Sequence, residues 1–271
     1  MDGNGHFAQA LQRSRGEAEI AFKAGDLARL YQRGAAKALL PRSHGMAHEA
    51  VIVNTAGGIA GGDRYRYGCV ADASKMIVTT QAAERAYQSN RDEIASVDVQ
   101  LTARNGARLH WMPQETILFD GSRLGRRIEV DLDAGSECLV LESLVFGRHA
   151  MGERLQHCHF TDRWRIRRDG RLVHAEALSF TGDTDRLLGA SAGVAEAQMA
   201  ATLVYVGPRQ DQLLAEITRV LPALVSRAAV SSWQGRLVLR LLASETMTGK
   251  TDLSRLLNSL SGHEVPRVWQ S

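Results

Sequence analysis

The chain has 271 residues, 44% of them apolar, and a formal net charge of +3. That length and apolar content suit one large domain with a sizeable core, and so weak a positive balance argues against nucleic-acid binding. No run of about 18 apolar residues occurs, which excludes a membrane-spanning helix.

Residues 1–16 are polar, contain glycine and lack periodicity, so they are expected to form a disordered tail. No apolar stretch of signal-peptide length precedes Arg15, and the three cysteines, Cys69, Cys138 and Cys158, are odd in number and widely spaced. Both observations fit a protein of the reducing cytoplasm. His44 and His48 have the spacing of a helical metal pair beside Glu49, but Pro41 and Gly45 weaken a helix there and the H-E-x-x-H order is missing.

The most informative segment is NTAGGIAGGDRY, Asn54 to Tyr65, with the paired glycines Gly57–Gly58 and Gly61–Gly62 ending on Asp63. Glycine at this density implies positive φ or close backbone approach. A dinucleotide fingerprint needs G-x-G-x-x-G followed by a helix, and neither is present, so the segment reads as a strained structural or docking loop. Beyond it, Asp72-Ala73-Ser74, Arg104-Asn105-Gly106 and Asp133-Ala134-Gly135 recur at about 30-residue spacing, each followed by a strand-like run. A fourth turn, Asp169-Gly170, leads into RLVHAEAL.

Register arguments treat these units as hairpins. A three-residue loop around Gly106 pairs Leu101 with Leu109 and Val99 with Trp111, and the next pairs Val130 with Cys138 and Ile128 with Val140. A two-residue turn at Asp169-Gly170 sets Ile166 opposite Val173, Trp164 opposite Ala175 and Arg163 opposite Glu176. The expected fold is therefore mainly β: a β-helix-like stack of strand–turn–strand repeats over 17–190, with a mixed α/β part over 191–271 and no free second domain. Helical spacing appears late, at Leu213, Leu214, Ile217, Val220 and Leu221 and again at Leu253, Leu256, Leu257 and Leu260, with a strand over Gly235–Ser244 between them.

Polar residues interrupt or end the apolar strands: Thr79, Thr80, Gln81, Glu84 and Arg85 after the first repeat, Gln114 and Glu115 after the second, Glu142 within the third and Glu176 in the fourth. Glu142 lies in CLVLESLVF, apolar on both faces, so it must be paired, protonated or facing internal water. Similar placement in successive coils suits a hydrophilic path through the stack. His157 and His159 share one face of a strand as a metal pair would, but two ligands do not complete a site. Gly249-Lys250-Thr251 lacks the earlier glycine of a P-loop, and no G-x-S-x-G elbow occurs.

Four blocks, NTAGGIAGGDRY, TTQAAERAYQS (Thr79–Ser89), WMPQETILFDGSRL (Trp111–Leu124) and ESLVFGRHAMGE (Glu142–Glu153), together with the closing PRVW (Pro266–Trp269), resemble the urease accessory protein UreD family, also called UreH. The resemblance runs in order from about Tyr31 to the C-terminus; Thr55-Ala56 departs from it, since many members carry prolines there. It implies a β-helical stack with C-terminal helices and no enzymatic activity. It further implies docking on apo-urease with UreF and the GTPase UreG, with UreF contacting the C-terminal part. Together these would install two nickel ions and the carbamate on the urease active-site lysine. Family members carry an internal tunnel thought to conduct nickel, so nickel is expected in transit with no tightly bound cofactor. On this reading Asp63, Glu84, Arg85, Glu115, Asp120, Glu142 and Glu176 are candidates for lining the path or for docking. The alternative from another class is a metal-dependent hydrolase using His157, His159 and a carboxylate.

Overall fold

Period-two alternation dominates the chain up to about residue 183, and in the computed structural model, which describes residues 13–42, 45–89, 91–190, 194, 197–260 and 265–269, it builds two facing sheets. The strands are β1 (Arg15–Lys23), β2 (Asp26–Gly34), β3 (Ala36–Leu39), β4 (His48–Asn54), β5 (Arg64–Asp72), β6 (Lys75–Thr80), β7 (Glu84–Ala86), β8 (Ala95–Arg104) and β9 (Arg108–Trp111). They continue with β10 (Thr116–Leu118), β11 (Arg123–Leu132), β12 (Glu137–Phe146), β13 (His157–Arg168), β14 (Arg171–Asp183), β15 (Met199–Val206), β16 (Arg227–Trp233) and β17 (Arg236–Ala243). The first sheet has the order β14-β13-β11-β8-β5-β1-β2; the second runs β16-β17-β15-β12-β9-β6-β4-β3, with the short β10 beside β12 and β7 beside β10. From β4 to β13 the chain winds between the sheets and strands of successive coils pair in parallel, which is a β-solenoid.

The recurring turns are the corners of this solenoid. At Ala73 and Asn105 the backbone takes positive φ and the chain leaves its sheet, whereas at Asp169, also at positive φ, it turns back within the first sheet. Short polar side chains then bridge one coil to the next. Asn105 Nδ2 donates to Asp72 Oδ1 at 2.7 Å, the Asn105 N–H donates to Asp133, and the Ala134 N–H donates to Asp169 Oδ1 at 3.1 Å. Asp and Asn recur at these corners because they hydrogen-bond backbone groups nearby and tolerate left-handed geometry.

The corners overturn the hairpin registers. Leu101 is flanked by Cys69 and Val130 in the first sheet, and Leu109 by Met76 and Cys138 in the second, so neither Leu101–Leu109 nor Val130–Cys138 is a cross-strand pair. Val99 with Trp111 and Ile128 with Val140 fail for the same reason. These residues nevertheless share one core, because the corner carries each inward face onto the facing sheet and not onto its own. Asp169-Gly170 is a true hairpin, but a bulge at Ile166/Arg167 shifts it: Ile166 opposes His174, Trp164 opposes Glu176 and Arg163 opposes Ala177. At the other end, β1 begins at Arg15, inside the segment expected to be a tail, because Arg15 to Lys23 add in parallel to β5. Residues 1–12 and His44 lie outside the described residues. His48 opens β4 and stacks on Phe22 at 4.1 Å between ring centroids.

A second core lies on the outer face of the second sheet, under α2 (Gln210–Val220) and α3 (Thr246–Leu260); a short α1 (Thr184–Gly189) follows β14. Leu213 and Ile217 of α2 and Leu253, Leu256, Leu257 and Leu260 of α3 are buried there, as their helical spacing requires. With a core on each side, all ten residues of β12 are buried, which explains its unbroken apolar run. No described helix is long and apolar enough to cross a membrane.

Glu137 ties the start of α2 to the sheet. It accepts from Tyr205 Oη at 2.5 Å and from Arg209 at 2.9 Å, and pairs with Arg108. Burial alone would raise its pKa, but these partners hold the carboxyl down at about 2. A depressed carboxylate stabilises above its unfolded pKa, and that stability is lost as pH falls toward 2. Glu137→Gln is expected to cost roughly 2 kcal/mol at pH 7, after discounting for solvent, and progressively less below about pH 4. Urea unfolding of both proteins across that range checks the convergence.

Candidate functional site: a pocket in the solenoid interior

A cavity of about 170 Å³ enters the space between the two sheets. Gly57, Gln81, Ala82 and Arg85 at its mouth are exposed, whereas Trp111, Thr116, Leu124, Arg126 and Glu142 at its inner end are buried. It is large enough for several water molecules and has polar groups to hold them.

The mouth is shaped by the glycine loop. Asn54 orders it, donating to Gly58 O at 3.0 Å and to Glu84 at 3.1 Å while accepting from Tyr65 Oη and the Ala56 N–H. Asp63 closes the loop from below, accepting the N–H groups of Ala60 and Ser14 at 2.8 and 2.7 Å. Gly58 has φ +154°, and a Cβ there would sit 2.2 Å from the Tyr87 ring; Gly57 has φ +77° and open space around it. Gly58→Ala is therefore expected to cost about 2–3 kcal/mol through strain plus clash, and Gly57→Ala about 1 kcal/mol through strain alone. Equal unfolding midpoints for the two variants would show that the Tyr87 contact does not matter.

Glu84 stands at the entrance, and burial raises its carboxyl to about 6 against the opposing pull of its Asn54 hydrogen bonds. At the inner end, Arg126 bridges two carboxylates: Nη1 pairs with Glu142 and Nη2 with Asp162 Oδ2 at 2.5 Å. Indoles hold the outer oxygens, Trp111 Nε1 donating to Glu142 and Trp164 Nε1 to Asp162, both at 2.9 Å. Each of the three charged side chains is only 5–6% exposed. Burial would lower the Arg126 pKa, but Asp162 and Glu142 outweigh it and keep the guanidinium firmly charged. Burial and then Asp162 push Glu142 up to about 7, with Arg126 and Trp111 opposing, because two buried carboxylates share one cation.

Among the expected residues, then, Glu84, Arg85 and Glu142 meet at this pocket together with Gly57 and Gly58. Gly61 and Gly62 pack against Ser89, Glu93 and Arg13, away from the mouth. Glu115 binds Lys250 of α3 at 3.0 Å, and Asp120 accepts the N–H groups of Gln156 and His157. Glu176 pairs with Arg240 at 2.7 Å in a separate pocket. His157 is exposed, and His159 Nδ1 meets Thr181 Oγ1 at 3.2 Å. Among the described residues no group of three or more His, Cys, Asp or Glu side chains is arranged to hold a metal. Arg126 and Asp162 were missed in the sequence although parity marks them: Leu124, Ile128, Val130 and Leu132 face inward, and so do Cys158, Phe160, Trp164 and Ile166.

A family model described as UreD urease accessory protein matches residues 14–270. The chain belongs to the UreD family. Curated UreD relatives agree along almost the whole length. The urease accessory protein UreD of Agrobacterium fabrum is 41% identical over 264 residues, covering 95% of this chain and 92% of the relative. The one from Rhizobium rhizogenes is 42% identical, with 95% and 96% covered. UreD of Paracoccus denitrificans is 41% identical over 261 residues, with 96% and 93% covered. The glycine loop, the pocket and the C-terminal helices all lie within the UreD match.

Proposed function

We propose that this UreD-family chain is a non-catalytic urease maturation factor that docks apo-urease together with UreF and UreG and passes nickel through the solenoid interior. Family membership supports the role in urease maturation. The observation that carries the finer reading is the pocket running from Glu84 to the buried Glu142–Arg126–Asp162 group. Its donors are carboxylate and hydroxyl oxygens, which bind a borderline divalent ion weakly enough to release it. Arg126 already occupies the cation position between the two carboxylates. An arriving Ni²⁺ would have to displace it from Glu142, and its return would expel the ion onward. Exchange of that kind favours passage over storage. Nickel is thus cargo here, and nucleotide hydrolysis belongs to a partner.

The test is co-purification and metal binding with the full chain. Tagged protein co-expressed with UreF, UreG and the urease subunits is expected to retain all of them, while the chain alone binds nickel weakly and hydrolyses nothing. Tight binding of one equivalent of metal with turnover by the isolated chain would instead favour a hydrolase built on His157 and His159.

A further inference from the structure

A second pocket, of about 430 Å³, opens where β14 at the edge of the first sheet faces β16 and β17 of the second. His174 and Glu176 line it from one side, and Trp233, Arg236 and Arg240 from the other. Register makes this cluster inevitable. On β17, Arg236 and Arg240 share the face of Val238, which packs in the core between the sheets, and Trp233 and Ala229 stand opposite them on β16. The bulge in the β13–β14 hairpin turns His174 and Glu176 toward the same space.

The charges there do not balance. Glu176 is the one carboxylate among the lining residues, and Arg240 takes it at 2.7 Å. Arg236 makes no ion pair among the described residues; its guanidinium lies 4.6 Å over the Trp233 ring and its Nε is buried without an acceptor. Arg168, outside the pocket lining and near Gly235 in the turn before Arg236, also leaves Nε and Nη2 buried and unpartnered. His174 is 9% exposed, and its Nε2 lies 3.8 Å from Glu176, beyond hydrogen-bond reach, with no other partner. Two guanidiniums and an imidazole thus line a pocket that holds one carboxylate. Burial, the largest influence, lowers the pKa of His174, and Arg236 and Arg240 push the same way against Glu176. Buried donors without acceptors are costly, and an incoming acceptor relieves that cost.

We infer that this pocket is an oxyanion-binding site, taking a phosphate or carboxylate group between Arg236, Arg240 and His174. A guanidinium presents paired donors that match two oxygens of such a group, and an adjacent aromatic face holds Arg236 in place. The local excess of positive charge repels a divalent cation, so this pocket is distinct in kind from the carboxylate pocket at Glu142. The oxyanion is either a free small ion or a carboxylate borne on an acidic partner segment.

Trp111, Trp164 and Trp269 are buried and Trp233 is 38% exposed, so emission of the full chain reports on this site. Titration with inorganic phosphate, at ionic strength held constant with chloride, is expected to give a saturable emission change and a higher melting temperature. Trp233→Phe should lose the emission change and keep the thermal shift. Arg236→Gln should weaken binding by about tenfold or more, whereas Glu176→Gln should strengthen it several-fold by freeing Arg240. A pentaglutamate peptide forms the second arm: tighter binding than phosphate assigns the site to a partner's carboxylates, and weaker binding assigns it to a free ion. The proposal is overturned if neither probe changes emission or melting temperature, or if Arg236→Gln binds as the parent does.

Discussion

Arg126→Met is expected to destabilise the protein by about 3–5 kcal/mol at pH 8, because it strands the buried Glu142 and Asp162 without their cation. The loss should shrink on acidification. A buried carboxyl whose folded pKa is raised carries its full stabilising contribution below the unfolded value, and loses it as pH rises through the folded one. Glu142 already stands at about 7 with Arg126 present, and removing that cation moves it higher. The difference between Arg126→Met and the parent should therefore narrow from pH 8 toward pH 5, read by urea unfolding at each pH. Replacing the group as a whole, with Arg126→Met, Glu142→Leu and Asp162→Leu together, should remove the pH dependence, since no buried charge is left, while the Trp111 and Trp164 indoles, deprived of their acceptors, still cost about 1–3 kcal/mol each. A loss for Arg126→Met below about 1 kcal/mol, or one independent of pH, would mean that water reaches the group freely.

Glu142→Gln separates transport from folding. Glutamine keeps an oxygen for the Trp111 indole and leaves Arg126 paired with Asp162, so the fold should lose no more than about 1–3 kcal/mol. It removes the charge that a divalent cation would meet at the inner end of the pocket. Urease activation in cells is expected to fall by about tenfold or more, the scale on which groups beside a metal act. Soluble yield and melting curve should remain close to those of the parent. Full activation with normal nickel loading would show that the pocket plays no part in delivery and that the chain serves as an adaptor. The triple variant makes the same point from the other side: if the charged group exists for transport, removing it should abolish activation even in the fraction of the protein that remains folded.

Much of this was legible in the sequence, for identifiable reasons. The corners carried Asp, Asn and Gly because positive φ and coil-to-coil hydrogen bonds require them, so a stack of repeats could be read from Asp72, Asn105, Asp133 and Asp169. The unbroken apolar run around Glu142 announced a strand covered on both faces and hence a buried carboxylate in need of a partner. The choice between hairpin and corner was not legible, because a short polar turn between alternating strands serves either, and inward parity survives both. The partners of Glu142 went unseen although parity pointed inward at Arg126 and Asp162; only the stacking of β13 on β11, facing β12, brings them together. Glu115 was singled out with Glu142 from the strand pattern, and Asp120 from the family resemblance. The structure gives one to Lys250 and the other to the backbone of residues 156 and 157.

The measurement that bears most directly on the account is urease activity and nickel content in cells that hold the urease structural genes and the remaining accessory genes, with and without this chain. Urease purified from cells lacking it is expected to be nickel-poor and inactive, and both properties should return when the chain is supplied. Active, nickel-replete urease in its absence would contradict the maturation role.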